Sequence, residues 1–203
     1  MEIKILLNLG GGANCYLLKT EDAVFVIDPA AEDNRISYFL TENQDKPQYI
    51  FLTHCHYDHI LGADMLREKF GAKIAICEKD EIGLMDSSVS LSERAGYYQA
   101  PFNADITFCD GDIFKEGNTE ITVIHTPGHT AGSVCYLVGD VMFTGDTLFQ
   151  GTVGRTDLPT GNYETLLSSL KKLKSLDGRL KLYPGHGLAT TLEREIKLNP
   201  YLK

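Results

Sequence analysis

Four side chains able to bind a cation stand within six residues, His54, His56, Asp58 and His59, directly after the apolar run Ile50-Phe51-Leu52. A backbone that carries them must either gather them around one small volume or scatter them over the surface. A helix does not gather them, because residues 54 and 58 would share a face while 56 and 59 pointed elsewhere. The run before the cluster reads as a strand. Behind it, Ile60, Leu61, Met65, Leu66 and Phe70 repeat with helical period and predict a helix over 60–70. The cluster Thr53-His54-Cys55-His56-Tyr57-Asp58-His59 thus falls on a strand-to-helix loop, where side chains can wrap around an ion. Imidazole and carboxylate donors suit zinc, iron or manganese, whereas a thiolate-rich set would favour a structural zinc.

The other three histidines are His125, His129 and His186, and two of them occur in the tripeptide Pro-Gly-His, at 127–129 and 184–186. A glycine before each histidine permits a sharp turn at a strand end, projecting the imidazole from a loop. His125 alternates with Ile121 and Val123 along a strand and reads as structural. One ion takes about three or four protein ligands. The candidates His54, His56, Asp58, His59, His129, His186 and an aspartate of the second half exceed that number. Two ions about 3.5–4 Å apart, sharing a carboxylate and a water, accommodate the excess.

The two halves of the chain echo one another. Val24-Phe25-Val26-Ile27-Asp28 and Val141-Met142-Phe143-Thr144-Gly145-Asp146 each read as a strand delivering an aspartate at its end. After a helix, each is followed by a strand delivering a histidine, His54 and His186. Further apolar, β-branched stretches predict strands near 2–8, 14–19, 48–53, 73–77, 120–125, 133–138 and 179–183. A longer helix is expected across Tyr163, Leu166, Leu167, Leu170 and Leu173, with shorter ones near 33–43, 78–86 and 190–197. Two similar α/β halves with a site between their strand ends follow.

Composition narrows the function classes. At 203 residues the chain fits one domain, and 43% hydrophobic with 23% charged residues is an ordinary globular balance. No apolar run approaches the roughly 18 residues of a membrane span. The N-terminus reads as a strand rather than a signal peptide, so the expected location is the cytoplasm. The five cysteines, Cys15, Cys55, Cys77, Cys109 and Cys135, form no CxxC pair and read as reduced thiols. A net charge of -9 without a Lys/Arg-rich stretch argues against nucleic-acid binding.

His54-x-His56-x-Asp58-His59, followed in order by His129, Asp146 and His186, resembles the metallo-β-lactamase fold superfamily. Finer features resemble its glyoxalase II branch, the hydroxyacylglutathione hydrolases: Asn14-Cys15-Tyr16-Leu17, Thr126-Pro127-Gly128-His129-Thr130, Thr144-Gly145-Asp146-Thr147-Leu148-Phe149 and Gly154-Arg155-Thr156-Asp157. The resemblance spans essentially the whole chain. It implies an α/β, four-layer αββα sandwich, with one ion on His54, His56 and His129, the other on Asp58, His59 and His186, and Asp146 bridging. Zinc is the first expectation, with iron or manganese as alternatives. Asp28 matches an acid that orients ligands without binding metal. Full-length members carry an extra C-terminal helical domain that helps bind glutathione. Only Leu188 to Lys203 follow Gly185-His186-Gly187 here, so the chain resembles a short, single-domain type spanning 1–203.

The resemblance implies hydrolysis of a small anionic thioester such as S-lactoylglutathione by a metal-bridging hydroxide, with Asp58 also orienting the nucleophile or taking its proton. Recognition would then fall to loops 83–104 and 149–161. The first is either a mobile lid or a packed cover, with Tyr97 and Tyr98 as candidate substrate contacts. Arg155 could bind a substrate carboxylate or pair with Asp157. Gly10-Gly11-Gly12 lacks the P-loop and dinucleotide patterns and reads as a hairpin turn. Cys55 is expected to point away from the ligands, and Tyr57 carries no assignment. A persulfide dioxygenase with a single iron is the main rival, since relatives of that type share Gly-Arg-Thr-Asp. A lactonase would use the same site, and a nuclease is disfavoured by charge. The common di-zinc β-lactamases carry Cys where this chain has Asp146.

Overall fold

A computed structural model describes residues 1–6, 12–30 and 34–203. The Gly10-Gly11 pair, the predicted end of the first strand at 7–8 and the start of the 33–43 helix lie outside the described residues.

Strands β1 (Glu2–Leu6), β2 (Cys15–Lys19), β3 (Val24–Ile27), β4 (Pro47–Phe51), β5 (Lys73–Cys77) and β6 (Ile106–Phe108) form one sheet in that order. Strands β7 (Ile113–Glu116), β8 (Thr119–His125), β9 (Val134–Val138), β10 (Val141–Gly145), β13 (Lys181–Pro184) and β14 (Thr190–Thr191) form the other. A small ribbon, β11 (Leu148–Phe149) with β12 (Thr152–Val153), sits between β10 and β13 in the chain. The helices are α1 (Asn34–Glu42), α2 (Tyr57–Ile60), α3 (Ala63–Phe70), α4 (Ile82–Met85), α5 (Ser92–Ala95), α6 (Tyr163–Lys174) and α7 (Leu192–Leu198). The expected echo is topological: β3 joins its parallel neighbour β4 through α1, and β10 joins its parallel neighbour β13 through α6.

Three apolar layers account for this order. Strand β4 is buried on both faces, so its side chains alternate between two cores rather than between core and water. Ile50 and Leu52 point outward to Ile36 and Leu40 of α1 and to Ala63 and Leu66 of α3. Phe51 points inward, where Phe25, Tyr136 and Phe143 meet between the sheets. On the far side, Leu166, Leu170 and Leu173 of α6 cover Met142 and Leu182. Helix, sheet, sheet, helix is the resulting stack. Asn162 caps α6 by accepting from Thr165 N, and Lys171, Lys172 and Lys174 occupy its last turn, complementing the helix dipole. Tyr163, expected on the apolar face of α6, is instead exposed.

Other expectations need correction. The 60–70 periodicity is two helices, because Leu61 closes α2 onto Tyr57 O and Gly62 starts α3 while donating to Pro29 O. Strand β4 stops before Thr53, whose N–H is taken by the Asp28 carboxylate instead of a neighbouring strand. Strands β6, β7, β11, β12 and β14 are too short or too polar to show in the apolar pattern. No helix among the described residues is long and apolar enough to cross a membrane.

Phe51 is fully buried, with ring neighbours Phe114, Tyr136, Tyr49 and Phe25 at centroid distances of 4.9–5.9 Å. Phe51→Ala should lower unfolding free energy by about 3–5 kcal/mol in urea titrations. A loss under about 1 kcal/mol would show that the inter-sheet cluster is not a principal core.

Candidate metal centre

All the clustered groups sit at one edge, where strand ends of both sheets meet. His54 and His56 lie on the loop after β4, as expected. Asp58 and His59 do not, because they occupy the single turn of α2. Across the seam, the β8–β9 loop brings His129, the end of β10 brings Asp146, and the end of β13 brings His186. His125 stays outside, with its Nε2 at 2.9 Å from Ala131 O.

The hydrogen bonds determine which nitrogen of each ring is bare. His129 Nδ1 lies 2.7 Å from the Arg155 carbonyl, an acceptor only, so Nδ1 carries the proton. His59 Nδ1 donates to Asp28 Oδ2 at 2.9 Å. Thr53 Oγ1 gives its proton to Asp28 Oδ2 at 2.7 Å and therefore accepts from His54 Nδ1 at 3.2 Å. Three Nε2 lone pairs consequently face inward. His56 Nδ1 stands 3.0 Å from the bare Nε2 of His54 and 2.9 Å from that of His129, and a single proton could serve only one of them. A cation held by His54, His56 and His129 would satisfy the lone pairs these three rings turn towards one another.

Asp146 faces both sides of the cluster. Its oxygens lie 3.4 Å from His59 Nε2, 3.5 Å from His129 Nε2 and 3.5 Å from His186 Nε2. His186 Nε2 also lies 3.2 Å from Asp58 Oδ2. Three groups have donor atoms within 4.8 Å of one another: His54/His56/His129, His54/His59/Asp146 and Asp58/His59/His186. Among the described residues, buried His56 Nε2, His59 Nε2 and Asp146 Oδ1 have no hydrogen-bond partner. Orphan atoms of this kind are costly unless something else satisfies them. The donor set therefore fits divalent metal ions.

Electrostatics divide the centre. Burial, reinforced by neighbouring rings, holds His54 far below the ordinary histidine range and lowers His56 to about 3. Both are neutral at pH 7, the form that binds metal. On the other side burial opposes charge but loses. The attraction of Asp28, Asp146 and Asp58 raises His59, and the hydrogen bond to Asp58 raises His186. Burial would likewise raise Asp58 and Asp146, yet His59 and the neighbouring histidines hold both below the usual carboxylate range. This half attracts positive charge strongly.

The glycines of the two Pro-Gly-His motifs serve different ends. Gly128 has φ +140°, a true left-handed-side turn, as the motif suggests. Gly185 has no such φ; a Cβ there would lie 2.3 Å from Asp146 Oδ1 and 2.7 Å from His59 Cε1. Gly185 is needed for close approach.

Several supporting residues escaped sequence reasoning. Buried Asp80 accepts from Cys55 N, Thr130 Oγ1 and Gly132 N at 3.0, 2.7 and 2.7 Å, tying the His54/His56 loop to the His129 loop. Its only sequence signal was an acid shortly after a strand. Asn14 and Tyr16, noted as a motif without a role, clamp the His186 loop. Asn14 N donates to Gly185 O at 2.6 Å, and Tyr16 OH donates to Pro184 O at 2.5 Å. Cys55 points away from the donors, as expected, and its Sγ packs beside Gly83.

A cleft of about 600 Å³ opens over the centre. His56, Asp58, His129, Asp146 and His186 form its floor, and Tyr57, Leu91, Arg94, Ala95, Phe149, Arg155 and Leu158 its walls. Tyr97 and Tyr98, expected as substrate contacts, are not among the lining residues. Tyr97 stacks on Tyr57 at 5.1 Å, and Tyr98 is 83% exposed. Segment 83–104 has the features of a packed cover. Gln99 Nε2 donates to Gly83 O and Leu84 O, and Tyr57 N donates to Ser90 O. Arg155 is held by Asp157 through two 2.7 Å bonds.

A four-layer αββα stack with a histidine–carboxylate centre at one edge defines a metallo-hydrolase architecture. The chain belongs to the metallo-β-lactamase superfamily, whose family model matches residues 9–186. Hydroxyacylglutathione hydrolase GloC of Haemophilus influenzae is 37% identical over 100% of this chain and 98% of its own length. Probable metallo-hydrolase YqgX of Bacillus subtilis is 36% identical over 94% and 92%. Among solved structures, the BLEG-1 B3 metallo-β-lactamase matches with a TM-score of 0.93 and 33% identity, covering 100% of both chains. TTHA1623 in a di-iron-bound form matches at 0.86 and 31%, covering 97% and 98%. ETHE1 from Myxococcus xanthus matches at 0.82 and 30%, covering 98% and 84%.

Asp80→Asn should weaken metal binding at the His54/His56/His129 group by about 10- to 100-fold, the usual cost of losing a supporting partner, and leave binding at Asp58/His59/His186 much less affected. Chelator competition with metal counting measures it. Equal loss at both groups, or none, would dismiss Asp80 as the tie between the loops.

Proposed function

We propose that this metallo-hydrolase holds two divalent ions and cleaves small anionic thioesters of the S-lactoylglutathione type. The observation that carries the reading is the convergence of bare imidazole nitrogens on carboxylates at the floor of one cleft. His54, His56 and His129 would hold one ion, and Asp58, His59 and His186 would hold the other. Asp146 would serve both, since its oxygens lie near His129 of the first group and near His59 and His186 of the second. Ions held there supply Lewis acidity that polarises a carbonyl and brings the pKa of water towards neutrality.

The chain's own residues supply the rest. Asp28 fixes His59, Thr53 fixes His54, and the Arg155 carbonyl fixes His129, so three rings need no reorganisation. The new C–O bond forms from water as the C–S bond breaks. Asp58 takes the water proton, and the departing sulfur leaves as a thiol or thiolate. Thioesters suit this floor because thiolate leaves readily without a dedicated general acid. The name of the similar GloC protein agrees with this substrate class.

A second reading has its own support in the similarity to ETHE1 and in this chain's Gly154-Arg155-Thr156-Asp157 segment, which resembles relatives of that type. It is a single-iron persulfide dioxygenase. Zinc is the first choice for the hydrolase, with iron or manganese in reserve, and the di-iron form of TTHA1623 keeps iron in the comparison.

Metal-counted protein tested on a thioester, persulfide, lactone and β-lactam panel should contain close to two ions per chain and favour the thioester. One iron per chain with oxygen uptake on persulfide would overturn the hydrolase. Asp146→Ala should lower both metal content and turnover, the latter by at least about 100-fold, because even indirect partners of metal ligands cost 10- to 100-fold. Full activity with two ions retained would refute the shared role of Asp146.

A further inference from the structure

The two arginines on the cleft wall differ in what they already hold. Arg155 binds Asp157 in a two-pronged ion pair, so its guanidinium is committed. Arg94 also lines the cleft and is exposed, but no hydrogen bond or ion pair engages it among the described residues. Its charge reaches Asp157 only as a weak longer-range attraction that favours the carboxylate. Around Arg94 the wall is apolar, with Leu91 and Ala95 on its own segment and Phe149 and Leu158 from the second half.

The wall is also preset. Ser90 O accepts from Tyr57 N at 2.9 Å, and Ser90 Oγ donates to Gln99 Oε1. Gln99 in turn donates to Gly83 O and Leu84 O at 3.0 and 3.1 Å. The next residue, Leu91, has φ +68° and ψ +6°, a left-handed conformation that a bulky side chain rarely adopts. Such a conformation persists only where the surroundings enforce it, and such residues concentrate at functional sites. Here it delivers Leu91 into the cleft and starts the turn of α5 that carries Arg94. A fixed base under a long cationic side chain reduces the ordering cost of binding an anion.

We propose that Arg94 is the specificity-determining anion anchor of the cleft, binding a carboxylate on the thiol half of the substrate while Leu91, Phe149 and Leu158 pack its apolar part. This rests on the thioesterase reading. A 600 Å³ cleft exceeds what a small acyl group needs, which leaves its walls to the leaving thiol. The chain then prefers thioesters whose thiol carries a carboxylate remote from sulfur.

The test compares S-lactoylglutathione with its dimethyl ester, in which both carboxylates are capped, using metal-loaded enzyme. Arg94→Met should raise KM for S-lactoylglutathione by about 10-fold, as expected when one charge-assisted contact is lost, with kcat and metal content little changed. KM for the dimethyl ester should not move, and Arg94→Lys should recover part of the loss. Equal effects on both probes, or none on S-lactoylglutathione, would overturn the anchor while leaving the thioesterase intact. If the wild-type enzyme turns over neither probe, the thioesterase reading fails. Arg94 is then judged by calorimetric binding of glutathione and its dimethyl ester to both proteins. Loss of the glutathione preference in Arg94→Met supports the anchor, and an unchanged preference or no binding rejects it.

Discussion

A single buried carboxylate organises the edge where the chemistry lies. Asp28 takes Thr53 N on one oxygen, and Thr53 Oγ1 and His59 Nδ1 on the other. Burying a carboxylate is costly unless such bonds compensate it, so the three donors are held as firmly as the acid itself. Its backbone lies at φ +51°, a conformation aspartate tolerates better than most residues. The consequences run outward. Thr53 is drawn off the ladder, which ends β4 and frees its carbonyl to accept Val134 N from the second sheet at 2.9 Å. The same hydroxyl sets the tautomer of His54, and the same carboxylate oxygen sets that of His59.

The centre is assembled across a seam, and each half holds part of the other. Asn14 and Tyr16 donate to the loop that carries His186, Tyr136 OH donates to Leu52 O at 2.6 Å, and Asp80 accepts from the loop that carries His129. Hydrophobic burial between the sheets brings the halves together without fixing their relative position to tenths of an ångström. Hydrogen bonds at the metal-facing end add that directional control. This division of labour explains why aromatic rings fill the middle of the inter-sheet layer and polar clamps gather at its edge.

Legibility in the sequence followed how local each signal was. The histidine and aspartate spacing, the strand–Asp and strand–His echo and the helical leucines of α6 were readable because each is a contiguous pattern. The start of α2 at Tyr57 was not, because a polar, histidine-rich turn carries no apolar period. Strands β6 and β7 were missed because they are short and partly exposed. Asp80 was hidden for another reason: its three partners are Cys55, Thr130 and Gly132, and no local pattern records contacts 25 to 52 residues apart. Arg94 was hidden among ordinary surface charges, since its distinction is that no hydrogen bond or ion pair among the described residues engages it at a cleft wall.

Floor and walls are built on different principles. Three of the clustered histidines are each oriented by a second group, His54 by Thr53, His59 by Asp28 and His129 by the Arg155 carbonyl, so few alternative arrangements fit the same backbone. The walls come from short segments, the α5 turn and the β11–β12 ribbon, each fastened by one or two buried polar residues. Glu195 serves the ribbon: its buried carboxylate accepts from Gly151 N at 2.7 Å and Asn199 Nδ2 at 3.1 Å, holding the hairpin that presents Phe149. Exchanging wall residues changes which molecule fits without disturbing the floor. That separation gives a physical reason why proteins named hydroxyacylglutathione hydrolase, β-lactamase and ETHE1 share so much of this fold. In this chain the wall positions Leu91 and Arg94 sit on a base fastened by Ser90 and Gln99 rather than by the clustered histidines, so they can change without moving the floor.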